Sequence, residues 1–202
     1  MRVSIIILYV ASGPLLDEAV KSAENQTLPP YEVIAEHDPG RTGIAATRNR
    51  ALAKATGDAF VPLDSDDWVE PTFLEKTVPL LVGAVGIVST AFEYHGIHDG
   101  LIMAAYSRTL REQLCSNNIC GCSLVDRRAY DAAGPYDGFI PGWEDWDMWI
   151  RILKAGWTHE VVNEPLFHYR LTNTGMNAYA SARKAENRAK MREKHGEGEY
   201  YA

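Results

Sequence analysis

The chain has 202 residues, 46% of them hydrophobic and 23% charged, and its 20 Lys and Arg against 27 Asp and Glu give a net charge of −7. That length suits one globular domain with a short appended tail, and it can bury a core without disulfide or metal support. The acidic balance argues against nucleic acid as a partner, because phosphate contacts draw on a basic surplus. No run approaches the ~18 apolar residues of a membrane span. Three cysteines, Cys115, Cys120 and Cys122, make neither a disulfide framework nor a familiar zinc spacing, and the expected location is the reducing cytoplasm.

Val3–Leu8 is a β-branched apolar run, the pattern of a strand covered on both faces. Pro14–Ser22 carries Leu15, Leu16, Ala19 and Val20 at helical spacing. Tyr31–Ala35 reads as a second strand, Asp38–Pro39–Gly40 as a turn, and Thr42–Thr56 as a helix stopped by Gly57. A third strand, Ala59–Leu63, runs straight into Asp64–Ser65–Asp66–Asp67, and Pro71–Leu81 follows as a helix with proline at its start. Val85–Ala91 is a fourth strand, whereas Phe92–Val125 mixes short apolar runs with Gly and Asn and carries no clear period. Glu144–Ala155 is a helix stopped by Gly156, and Trp157–Val162 and Leu166–Arg170 are expected as two short strands.

This alternation predicts an α/β fold with a mostly parallel central sheet flanked by helices. From residue 176 the composition changes. Arg183, Lys184, Arg188, Lys190, Arg192 and Lys194 stand there against four Glu, with alanines at 178, 182, 185 and 189. The expected division is one domain over 1–175 and a basic, mostly exposed C-terminal helix over 176–202. That helix is peripheral to chemistry and available for association with a second copy, a partner or a membrane surface.

Three features carry chemistry. The carboxylates at 64, 66 and 67 repel one another unless a cation or donors answer them, and they stand at the C-terminal end of a strand, where open α/β sheets bind ligands. Such a cluster suits a hard divalent ion, Mg²⁺ or Mn²⁺, that bridges to substrate phosphates, with an N-cap before Pro71 as the plainer reading. Arg48 falls on the apolar stripe of its helix with Ile44, Ala51 and Leu52, so its guanidinium needs a partner, either a carboxylate such as Asp38 or the acidic cluster, or a ligand phosphate. In Gly142–Trp143–Glu144–Asp145–Trp146–Asp147, the acidic residues of the first turn favour the helix dipole. Asp145, beside both Trp143 and Trp146, is also placed to have its pKa raised toward that of a general base.

Taken in order, these residues resemble the family 2 glycosyltransferases, inverting enzymes of the GT-A fold, over about residues 2 to 172. Val3–Ile7 is similar to the family's first strand, and Ala23–Glu24–Asn25–Gln26–Thr27 to the end of its first helix. Gly43–Ile44–Ala45–Ala46–Thr47–Arg48–Asn49 resembles its R-N helix, Asp64–Ser65–Asp66 its D-x-D, Glu144–Asp145 its E-D pair, and His168–Tyr169–Arg170 its closing Y-R segment. Leu8–Tyr9–Val10–Ala11 departs from the family's loop after strand one, and only Pro39–Thr42 remains of a usually longer connection.

The resemblance implies a metal-dependent, inverting transfer from a nucleoside diphosphate sugar, foremost a UDP-sugar, to an acceptor hydroxyl. Asp145 would be the catalytic base. Asp38, Arg48, Asp64 and Arg170 would bind the nucleotide sugar, and Asp66 would hold Mn²⁺ or Mg²⁺ with His168 as an additional ligand. A non-catalytic nucleotide-sugar or carbohydrate-binding module, or a nucleotidyltransferase, is the alternative. The latter would want a Gly-rich basic loop after strand one, where Leu8–Pro14 has one glycine and no Lys or Arg.

Overall fold

A computed structural model describes residues 1–172 and 176–196. One eight-stranded sheet organises it, in the order β2-β1-β3-β7-β5-β8-β4 with β6 against β5. β1 (Val3–Tyr9) lies between β2 (Glu32–His37) and β3 (Ala59–Asp64), parallel to both. β5 (Val85–Gly96) and β8 (Thr158–Leu171) form a second parallel pair, and the three-residue β7 (Leu124–Asp126) joins the two halves, antiparallel to both β3 and β5. β4 (Trp68–Val69) closes one edge against β8, and β6 (Ile102–Met103) pairs with the far end of β5. The expected mostly parallel α/β architecture is therefore present, with short antiparallel rungs at its seam and margins.

Alternation along β1 sorts the two cores. Val3, Ile5 and Ile7 pack on one face with Ala19 and Ala23 of α1 (Pro14–Glu24) and with Phe73 and Leu74 of α3 (Phe73–Thr77). Ile6 packs on the other face with α2 (Ile44–Lys54), α5 (Arg127–Ala133) and α6 (Glu144–Lys154) through Ala51, Leu52, Ala129, Met148 and Trp149. Both faces of β1 are covered, which is why its sequence is an unbroken apolar run rather than an alternating one.

The structure corrects several expected elements. The helix over Pro71–Leu81 is only α3 followed by one 3₁₀ turn, Val78–Leu80, because Pro79 has no N–H to continue the helical ladder. The two short strands after residue 156 are one strand, β8. Its register against β5 jumps from Thr90↔Val162 to Ala91↔Pro165, so Asn163–Glu164 bulge out without ending the strand. Inside the unassigned stretch, α4 (Leu110–Cys115) is closed by a capping box between Thr109 and Glu112, a signal present in the sequence as T-x-x-E. α5 is capped by the Asp126 carboxylate, which accepts the Arg128 N–H at 2.7 Å.

The C-terminal segment is helical and mostly exposed, as expected, but it is two helices rather than one. It forms α7 (Met176–Ala182) and α8 (Lys184–His195), and α8 is docked on its own chain. Met191 is fully buried with Ile140, Trp146 and Ile150, and Asn187 is buried beside it, whereas Ala182, Ala185 and Ala189 face solvent. Lys194 reaches Asp137 and Asp147, each at 2.7 Å, and His195 reaches Asp147 at 2.9 Å. The helix is thus mostly exposed yet anchored: its last turn is bound to α6. The expected boundary at residue 175 lies outside the described residues.

Candidate active site

Two cavities open at the C-terminal ends of β1 and β3 and share Ile44, Asp64 and Tyr169 in their walls. The first, a groove of about 330 Å³, is bounded by Tyr9–Ala11, Asp38, Ser65–Asp66 and Arg170. The second, about 580 Å³, is bounded by Arg48, Tyr94, Ile102, Asn117, Glu144 and Asp145. Both volumes are on the scale of a small-molecule site.

The groove is acidic at its base. Burial, and then the neighbouring Asp64 charge, push the Asp66 carboxyl above its ordinary range. The same two causes, with Asp66 added, raise Asp67 further, although its Oδ1 accepts the Arg170 N–H at 2.7 Å. Arg170 answers this charge only in part. Its Nη1 donates to the Asp66 carbonyl oxygen at 2.8 Å, its Nη2 to Glu18 at 3.0 Å, and its guanidinium lies 4.9 Å from the Trp68 ring centre. The remaining acid, set at the end of a parallel strand, is a hard-oxygen donor set that a divalent cation would neutralise.

Asp38 is held by its own turn. Its Oδ1 accepts the Thr42 N–H at 2.9 Å and the Thr42 hydroxyl at 2.8 Å, and its Oδ2 accepts the Gly43 N–H at 3.3 Å. These donors, the Thr42 N–H first, hold its carboxyl far below the usual range. They also fix the tight 38–43 connection, in which Arg41 takes a left-handed backbone at φ 49°.

Arg48 is buried beneath the second cavity. Its guanidinium donates to Asp64 Oδ1 at 3.1 Å and to Glu144 Oε1 at 3.4 Å, and the Tyr136 ring lies 5.3 Å away. Of the partners expected from sequence, the carboxylates are the ones it meets, and it does not enter the groove with Asp38 and Asp66. Asn49, next in the R-N pair, donates to the Tyr136 carbonyl at 2.8 Å and accepts the Tyr136 N–H at 2.9 Å, tying α2 to the segment that covers Arg48.

α6 supplies the carboxylates of the second cavity from its first turn. Glu144 bridges Arg48 and the Gly142 N–H, which it accepts at 2.7 Å. Asp145 accepts the Trp146 N–H at 2.7 Å on Oδ1 and Asn117 Nδ2 at 3.1 Å on Oδ2. Burial pushes both carboxyls up, opposed chiefly by the Arg48 charge. Trp146 is buried and fixed by its Nε1–H to the Gln113 carbonyl at 2.6 Å, with Trp143 packed 4.8 Å from it. Asp147 leaves the cavity altogether for Arg151, Lys194 and His195.

Of the residues singled out in the sequence, Asp38, Asp64, Asp66 and Arg170 line the groove, while Arg48, Asp64 and Asp145 line the second cavity. His168 lines neither. Its ring stacks on Trp68, and its nitrogens turn toward Glu70 and His95. Tyr169, shared by both cavities, and Asn117, which holds Asp145, were not anticipated. The first sits inside the Y-R segment as its tyrosine, and the second lies in the stretch without a readable period.

The sequence profile of glycosyl transferase family 2 matches residues 36–133. An uncharacterized glycosyltransferase, YwdF of Bacillus subtilis, is 26% identical over an alignment covering 98% of this chain and 86% of the relative. A putative teichuronic acid biosynthesis glycosyltransferase, TuaG of the same organism, is 29% identical over 84% of this chain and 72% of its own. Among solved structures, S. aureus TarS superposes with a TM-score of 0.70 at 14% identity, over 86% of this chain and 37% of TarS. A mannosyltransferase from Pyrobaculum calidifontis, in complex with GDP-Man and Mn²⁺, gives 0.70 at 18% identity over 96% of this chain and 64% of its own. This chain therefore spans little more than a third of that TarS chain, and the likeness to these structures is one of fold.

Proposed function

From the match to glycosyl transferase family 2, we propose that the chain is such an enzyme and that it transfers a sugar from a nucleoside diphosphate sugar to an acceptor hydroxyl, with inversion at the anomeric carbon, the donor lying in the groove and the acceptor in the second cavity. The observation that carries this reading is the meeting of the two cavities at Asp64, with Asp66 on one side and Asp145 on the other. A UDP-sugar donor is supported by the TarS fragment in complex with UDP-GlcNAc, which shares the fold at a TM-score of 0.67.

Asp66, with Asp64 beside it, is the donor set for Mn²⁺ or Mg²⁺, and its raised carboxyl fits a site completed by a cation. Bound there, the ion would supply Lewis-acid stabilisation of the leaving diphosphate. Asp38 holds the floor of the groove in shape, and Arg170 presents a cation at its rim. Arg48 is a positioning residue that fixes Asp64 and Glu144 relative to each other. Asp145 accepts the proton of the acceptor hydroxyl as the oxygen attacks the anomeric carbon from the face opposite the diphosphate. Its raised carboxyl and the two tryptophans beside it suit that task.

Asp145→Asn keeps shape and hydrogen-bonding size but accepts no proton. The variant is expected to bind donor as the parent does and to lose about 10²–10⁴-fold in turnover. Asp66→Ala is expected to lose cation-dependent donor binding. Donor binding followed by calorimetry with and without Mn²⁺, beside nucleoside diphosphate release, checks both variants. Transfer by Asp145→Asn at the parent rate removes Asp145 as the base, and unchanged Mn²⁺ dependence in Asp66→Ala removes the cation from this site.

A further inference from the structure

On the rung where β5 and β8 pair Glu93 with His168, three ligating side chains converge that line neither cavity. His95 Nε2 stands 3.0 Å from His168 Nδ1, Glu93 Oε2 stands 3.9 Å from that same nitrogen, and one donor atom from each of the three lies within 4.8 Å of the others. Donors each about 2.1 Å from one ion lie roughly 3 to 3.5 Å apart in tetrahedral geometry, so the histidines already have the required separation and the Glu93 carboxylate has to close toward them, from 3.9 Å at His168. We infer that Glu93, His95 and His168 bind one borderline divalent cation, Zn²⁺ by their chemistry, at a site distinct from the Asp64–Asp66 pair.

The outer nitrogens give the strongest support. His168 Nε2 is 2.7 Å from Glu70 Oε1, and His95 Nδ1 is 3.4 Å from Asp99 Oδ1. Each imidazole therefore has a carboxylate on the nitrogen that faces away from the other ring, the arrangement that fixes the tautomer and orientation of a metal-bound histidine. With both protons on those outer nitrogens, two lone pairs face each other across 3.0 Å and repel unless a cation stands between them. Without the ion, one of the two rings must turn its proton inward to make the 3.0 Å contact a hydrogen bond. Trp68 adds rigidity, stacking on His168 at 4.8 Å and meeting His95 at 4.5 Å.

Two imidazoles and one carboxylate form a borderline donor set that selects Zn²⁺ over the oxygen-seeking Mg²⁺ or Ca²⁺. His95 and Glu93 are each about a quarter exposed, which leaves a route for the ion and a fourth position for water. The cation would pin β5 to β8 and, through Glu70, draw in the turn that follows β4 at the edge of the sheet.

The test uses the untagged, chelator-stripped full chain and ZnCl₂ alone, with equilibrium dialysis for stoichiometry and Co²⁺ substitution for the visible spectrum of a tetrahedral site. One tight equivalent of Zn²⁺ is expected in the parent and in Asp66→Ala alike. His95→Ala is expected to weaken it by more than 100-fold, and Glu70→Gln by about 10–100-fold. Glu93→Gln, close in size and outside both cavities, gives the same readout should His95→Ala fold poorly. The inference falls if the parent binds Zn²⁺ no better than His95→Ala or Glu93→Gln, or if Asp66→Ala abolishes the tight equivalent. Because Asp66 serves the groove and not this cluster, failure here leaves the reading of the groove untouched.

Discussion

Asp66 and Arg48 are both charged residues of the site, yet removing them is expected to move stability in opposite directions. The folded state raises the Asp66 carboxyl, so its ionised form costs stability at neutral pH and the cost is relieved as pH falls toward the ordinary carboxylate range. Asp66→Asn should therefore melt no lower than the parent at pH 7 while losing cation-dependent donor binding, a combination that calorimetric melting and binding assays read together. Arg48 is buried against Asp64 and Glu144, and Arg48→Ala leaves the buried Glu144 carboxylate without its cation. The expected cost is about 3–5 kcal/mol by denaturant unfolding, and Arg48→Met paired with Glu144→Gln should recover part of it. At this scale the sequence was legible where a residue broke its local pattern: an arginine on an apolar stripe, three carboxylates in four positions, an aspartate between two tryptophans. Asn117 and Tyr169 break no local pattern, and only the fold gives them their place.

Among the elements, α6 has two separate duties. Its first turn presents Glu144 and Asp145 to the cavity, while Asp147, one residue past Trp146, faces the other way and receives Arg151, Lys194 and His195. Burial works against the ionised Asp147, but those three partners outweigh it and bring its carboxyl down to about 2. A folded value below the unfolded one means that the stabilisation is complete above about pH 4 and lost as pH falls toward 2, worth about 2 kcal/mol. Urea unfolding between pH 2 and pH 5 should display that slope in the parent and lose much of it in Asp147→Asn. α8 should also gain hydrogen exchange in the variant, since its anchor is gone. The basic character of α8 was readable from composition, but its docking was not. Docking depends on Met191 packing with Ile140 and Trp146 and on Asn187 donating to the Pro141 carbonyl, contacts distant in sequence, whereas Ala182, Ala185 and Ala189 are exposed.

Across the whole molecule, the first half of the sheet is local and the second half is not. β1, α1, β2, α2 and β3 follow one another directly, and their periodicities identify them without knowledge of their neighbours. β5 and β8 find each other across the middle of the chain, Val85 meeting Thr158, and β8 hides its continuity behind a bulge at Asn163–Glu164. That is why it reads as two strands in sequence. The same arrangement sets an order for biosynthesis. The acidic turn at Asp64–Asp67 is synthesised before Asp145, Tyr169 and Arg170, and so before the Arg170 groups that Asp66 and Asp67 accept. Until the last of β8 is added, β5 offers newly synthesised chains an apolar strand with one side unpaired, an invitation to join a neighbour's strand. Adding β8 thus both brings Tyr169 and Arg170 to the candidate site and covers the open side of β5, so that the groove and a closed sheet arrive together, before α8 docks.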